Sequence, residues 1–172
     1  MKLITLFILV FLSISCAQQL FIKPDGFDRY DVARVDVESN LQQSEEQVKQ
    51  LATMIRSELN SQNIFRKVFY KKHDSMQDSL HINIVIMRIN QTPDVQRLAL
   101  GKTARSNEVT VQVILRDESS QKILSAFQLT AYSPERTGIR VEWPWGSVDK
   151  ALQKISDQLV QQLAVWRNNS KD

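Results

Sequence analysis

Two histidines, His73 and His81, and one cysteine, Cys16, are the whole supply of imidazole and thiol in this chain. A zinc centre needs three or four ligands at usable spacing. Neither a His-x-His pair nor a cysteine cluster occurs, so no metal site and no cofactor are expected. Acyl-transfer chemistry needs a nucleophile with a base within hydrogen-bond reach. Serines are plentiful, yet no Gly-x-Ser-x-Gly elbow presents one. Glu45 and Glu46 are adjacent carboxylates in the first turn of an expected helix, where the helix dipole accounts for them. His73 stands in a charged turn beside Lys71, Lys72 and Asp74, and His81 opens a strand. With no mutually supporting set of groups, the reading is that of a non-enzyme.

Cys16 has a different chemistry open to it. It follows Met1-Lys2, an apolar stretch over residues 3–12 and Ser13-Ile14-Ser15. A basic start, a short apolar core and small residues at the end make a secretory leader. The stretch is too short to cross a bilayer, which takes about 20 apolar residues. Its ending resembles a bacterial lipobox, in which the cysteine sulfur is acylated and becomes the mature N-terminus. Ser13 departs from the usual leucine, which sits one place back as Leu12. The alternative is cleavage after Ala17, which discards Cys16 and leaves a soluble periplasmic protein. Several palmitate-type chains hold a protein stably where a single myristoyl-sized chain does not. By the same resemblance, Ala17 in place of the retention-marking Asp directs the protein to the outer membrane.

Two surface features could recognise a partner. Arg97, Lys102 and Arg105 flank Gly101 in a long linker between strands. One reading is a basic loop touching anionic headgroups or glycans, each charge being worth about 1 kcal/mol near an anionic surface; the other is a solvated loop. Trp143-Pro144-Trp145 is a stiff aromatic knuckle ahead of the last helix. Tryptophan is enriched in binding hot spots and at membrane interfaces; alternatively the rings pack on the sheet.

The elements that must carry these residues are legible from periodicity. Ala33, Val35 and Val37 alternate with Arg34 and Asp36, which predicts a strand. Ser44 with Gln47 reads as a capping box for a helix over residues 45–60, with Val48, Leu51, Ile55 and Leu59 at helical spacing. A second strand is expected around residues 65–71. The third, residues 80–89, is the clearest, with Leu80, Ile82, Ile84 and Ile86 on one face and His81 and Asn83 on the other. It is apolar enough to aggregate as an edge, so it is expected in the sheet's centre. Residues 109–116 and 123–132 form an antiparallel hairpin around a turn over 117–122. Ser147 caps a last helix whose stripe runs from Val148 through Leu152, Ile155, Leu159 and Leu163 to Trp166.

That order predicts an α+β two-layer sandwich: a mostly antiparallel sheet of about five strands with two helices on one face and a partly polar face opposite. The expected organisation is a leader over 1–15, a lipidated tether over 16–29 with Pro24-Asp25-Gly26 as a turn, one domain over 30–168 and a polar tail over 169–172. Without the fifteen leader residues, 157 of the 172 remain and the charge falls from +3 to +2. That is enough chain for a core, and too small a charge surplus for nucleic-acid binding.

The segments Phe65-Arg66-Lys67-Val68, Leu98-Ala99-Leu100-Gly101-Lys102-Thr103-Ala104 and residues 108–117 are similar to those of bacterial envelope lipoproteins of the domain of unknown function 4410 type. The resemblance spans most of residues 30–168. The family's glycine-richer linker and Thr-Gly hairpin tip are replaced by Gly101 alone and by Ser119-Ser120-Gln121. It implies a fold and an envelope location and transfers no functional residue. The expected function is a lipid-anchored, non-enzymatic interaction module serving an envelope process at the outer membrane, with a membrane contact through Cys16 and an envelope protein as partner. The alternative is a periplasmic carrier or sensor of a small apolar or lipid-like ligand.

Overall fold

Alternation at period two sorts every strand of this chain into an apolar and a polar row, and the sheet is built from that sorting. The computed structural model describes residues 21–42, 44–69, 78–91, 107–133 and 148–168. The elements are β1 (Val32–Ser39), α1 (Glu45–Ser61), β2 (Lys67–Phe69), β3 (Ser79–Asn90), β4 (Glu108–Asp117), β5 (Ile123–Tyr132) and α2 (Val148–Asn168). This is the order that patterning predicts, in an α+β fold.

The five strands form one sheet in the order β2-β1-β3-β4-β5. β1 runs parallel to both β2 and β3, while β3-β4 and β4-β5 are antiparallel and carry the longer ladders. A parallel neighbour needs a crossover, which α1 supplies between β1 and β2. β3 lies in the centre, so its apolar backbone run is paired on both sides.

The inner row is fully apolar. Leu80, Ile82, Ile84 and Ile86 of β3 and Val109, Val111, Val113 and Leu115 of β4 expose nothing. Leu51, Ile55 and Leu59 of α1 and Leu152, Ile155, Leu159 and Leu163 of α2 face them, equally buried. Each such side chain contributes roughly 1.5–3 kcal/mol before conformational entropy is charged against it.

Two local expectations are revised, and the sheet carries one irregularity. Ser44 precedes α1 but makes no capping bond; its hydroxyl donates to the Leu41 carbonyl at 3.0 Å, closing the turn before the helix. The capping box with Gln47 therefore does not form. Residues 21–29, expected to be part of a tether, are docked on the domain. Gly26, at φ +71°, turns the chain in the left-handed region, Phe27–Arg29 form a single 3-10 turn, and Phe27 and Tyr30 are fully buried. The irregularity is in the β3–β4 register, which shifts between Ile86 and Arg88 and places Met87 at a bulge.

The fold has two distinct ends. At the basal end lie residues 21–31, the starts of β1 and β3, the β4–β5 turn and the C-terminus of α2, where Trp166 Nε1 donates to the Phe21 carbonyl at 3.2 Å. At the apical end stand Asn90, Glu108, Ser133 and Val148, with Ser133 N donating to the Asn107 carbonyl at 2.8 Å.

Candidate functional site

Two polar clusters arise from the outward row of the sheet and from its basal rim. On the outward face, register sets Arg34 of β1 beside His81 of β3, and His81 beside Arg116 of β4. Glu118 follows β4 and is tied to the start of β3 by its N–H, which donates to the Ser79 carbonyl at 3.0 Å. Arg34 pairs with Glu118 at 2.8 Å and with Asp36 at 3.0 Å. His81 Nε2 lies 2.8 Å from Asp36 Oδ2. His81 and Glu118 are 6% and 9% exposed, unusual for charged chemistry on a face turned away from the helices.

The imidazole is held between a carboxylate and a guanidinium. Nε2 lies 2.8 Å from Asp36 Oδ2 and 2.9 Å from Arg34 Nη2, and Nδ1 lies 3.1 Å from the same Nη2. Glu118 Oε2, 3.7 Å from Nδ1, has no hydrogen-bond donor among the described residues. Burial and then the Arg34 guanidinium hold the His81 pKa below its ordinary value, against the opposing pull of Asp36 and Glu118. A histidine–aspartate pair can serve as a general base; here the Arg34 guanidinium lies against both ring nitrogens. The cluster works as an ion network joining β1, β3 and the β4–β5 turn.

At the basal rim, Tyr30 Oη donates to Asp117 Oδ2 at 2.6 Å, and Arg29 pairs with the same oxygen. Asp117 Oδ1 accepts from the Ser119 hydroxyl at 2.6 Å and from the Ser120 N–H at 2.8 Å. These donors, the Ser119 hydroxyl foremost and Tyr30 next, hold the Asp117 carboxyl far below the usual carboxylate range. Burial, with the Asp117 hydrogen bond second, pushes the Tyr30 phenol up. Arg167 lies 5.4 Å over the Phe27 ring and 5.3 Å over that of Phe65, and donates to the Asp28 carbonyl at 3.0 Å and to the Tyr30 carbonyl. Phe21 stacks against Phe127 at 4.7 Å. The N-terminal segment is thereby fastened to both the last helix and the edge strand.

Cys16, Arg97, Lys102, Arg105, Trp143 and Trp145, and His73 with them, lie outside the described residues. The fold does locate the stems of their segments. The linker bearing Arg97, Lys102 and Arg105 leaves at Asn90 and returns near Asn107; that bearing Trp143 and Trp145 leaves at Ser133 and returns at Val148. Both therefore spring from the apical end, and the chain bearing Cys16 joins at the basal end. His81 is in β3, on the outward face as expected. Sequence reading missed both bonded groups, Arg34 with Asp36 and Glu118, and Tyr30 with Asp117. The available signal was Arg34 and Asp36 sharing the polar row of β1.

Among the described residues no group of three or more His, Cys, Asp or Glu side chains could hold a metal ion. No helix among them is long and apolar enough to cross a membrane.

The chain belongs to the family described as domain of unknown function DUF4410, whose model matches residues 19–133. No curated protein matches its sequence. Among solved structures it is similar to the PelC dodecamer from Paraburkholderia phytofirmans, at 12% identity over 85% of this chain and 93% of that one, with a TM-score of 0.54. It is also similar to protein XCC0632 from Xanthomonas campestris, of the DUF330 family, at 10% identity over 82% of this chain and 88% of that one, with a TM-score of 0.51. At such identities the likeness is one of fold.

Proposed function

We propose that this DUF4410 chain is a lipid-anchored, non-enzymatic module of the bacterial cell envelope, held at the periplasmic side of the outer membrane through Cys16 and acting through an envelope protein partner. The observation that carries the reading is Cys16, the sole cysteine, directly behind a secretory leader with small residues before it. The fold adds support by separating the two ends: the chain from Cys16 joins basally, while the segments with Arg97, Lys102, Arg105, Trp143 and Trp145 have apical stems. A partner reached from the apical end is a partner reached away from the bilayer. The fully buried inner rows of sheet and helices favour this module over a carrier of an apolar ligand.

Two measurements test it. The intact mass of protein extracted from membranes should exceed that of the chain beginning at Cys16 by several acyl groups. A mature chain beginning at Gln18 with no added mass sinks the anchor. Trp143→Ala and Trp145→Ala should keep the native circular dichroism while losing a partner recovered by crosslinking in intact cells. Unfolding by either substitution instead makes that ring part of the core.

Self-association is a second reading, favoured by β5. This ten-residue strand pairs only with β4 among the described residues and carries no charged residue or proline. Natural edge strands are usually blunted by such residues, so an unblunted edge suits strand addition. The PelC neighbour is itself a dodecamer. A monomeric mass in light scattering at micromolar concentration ends this reading.

A further inference from the structure

We infer that the basal end of the domain is a membrane seat, lying against the surface of the bilayer that holds Cys16; this rests on the anchoring proposed above. The first argument is length. Five residue steps separate Cys16 from Phe21, and an extended chain covers at most about 18 Å in that distance. Phe21 is not free to swing outward, because its ring stacks on Phe127 at 4.7 Å and its carbonyl accepts from Trp166. A sulfur carrying acyl chains therefore keeps this end, and no other, within one short tether of the headgroups.

The second argument is what the end exposes. Ile22 is 84% exposed and adjoins the tether, Ile123 is 55% exposed beside the β4–β5 turn, and Val165 is 44% exposed in the last turn of α2. Single exposed apolar residues need no explanation. Three of them at the end that the tether holds against lipid are placed to enter the interface between headgroups and acyl chains. The cations at this end are mixed: Lys122, beside Ile123, is exposed, while two others are paired. Lys23 is paired with Asp28 at 2.6 Å and Arg29 with Asp117. The three apolar side chains make the contact, so the seat should persist when salt screens Lys122.

Mature acylated protein reconstituted in phosphatidylethanolamine–phosphatidylglycerol vesicles tests this. Acylation occupies the only native thiol, so Ile123→Cys and Tyr132→Cys each give one labelling site. Both positions are exposed, and they stand at opposite ends of β5, about 30 Å apart. A fluorophore on residue 123 should be strongly quenched by lipid bearing a nitroxide on its headgroup, and one on residue 132 should not. High salt should leave that contrast unchanged. Equal quenching at the two positions, quenching only at 132, or loss of the contrast in salt overturns the apolar seat. The mass of the same sample separates this from failure of the anchor: without acyl mass the anchoring falls and takes the seat with it. With acyl mass and no contrast, only the seat falls.

Discussion

The two faces of the sheet come from the same strands and are stabilised in opposite ways. Ile82 and Ile84 belong to the buried apolar cluster shared with the helices, whereas their neighbour His81 looks the other way into Arg34, Asp36 and Glu118. Both faces are buried at this level of the sheet. The inner face tolerates any apolar group of suitable volume, because dispersion and water exclusion are non-directional. The outer cluster depends on charges that cost much to bury and are compensated only by one another.

Substitutions should expose that difference. Arg34→Met alone leaves Glu118 buried without its guanidinium and should cost about 3–5 kcal/mol in urea unfolding. Arg34→Met with Glu118→Leu should recover most of that loss, as apolar replacements of a buried pair often do. If the double variant stays as unstable as the single, the pair itself is the stabilising unit. On the inner face Ile84→Ala should cost about 2–5 kcal/mol through lost transfer energy and a cavity. No partner substitution across the strand should repair it.

Tyr30→Phe at the basal rim should cost about 1.5–3 kcal/mol, the range for a hydrogen bond to a charged group. The lowered pKa of Asp117 makes its carboxylate stabilising above the ordinary aspartate range. That contribution should fall away progressively as pH drops below about 4, and Asp117→Asn should remove most of this acid dependence.

His81 titrates in a higher window. Its pKa is lowered on folding, so the unfolded chain binds the proton more readily. Stability should be complete above about 6.5 and decline as pH falls through that value. His81→Gln should flatten the decline in unfolding measured between pH 7 and 5; an unchanged slope would remove His81 from the account.

The smallest effect belongs to Ser44. A working N-cap costs about 1 kcal/mol when removed, but this hydroxyl bonds the turn carbonyl instead. Ser44→Ala removes that bond from a buried position and should cost about 0.5–1.5 kcal/mol in urea unfolding.

Legibility followed the same division. Leu80 to Ile86 and Leu152 to Leu163 announced their faces because burial repeats at the period of the element that carries it. The central place of β3 followed from the same run. Arg34 and Glu118 gave no such signal: they stand eighty-four residues apart, and a charge looks alike in sequence whether solvated or buried. Residues 21–29 looked like a tether because a Pro-Asp-Gly turn is common in both linkers and docked segments; only the pocket formed by Phe65, Phe127 and Trp166 distinguishes them.

The amino-acid sequence by itself determined the element order, the inner core and the position of a cysteine behind a leader, since each rests on neighbours along the chain. Tertiary structure alone decided that residues 21–29 dock basally, that the stems of two long linkers stand at the apical end, and that His81 sits among buried charges. Those facts depend on strand register and on contacts between residues far apart in the chain, which no local pattern encodes.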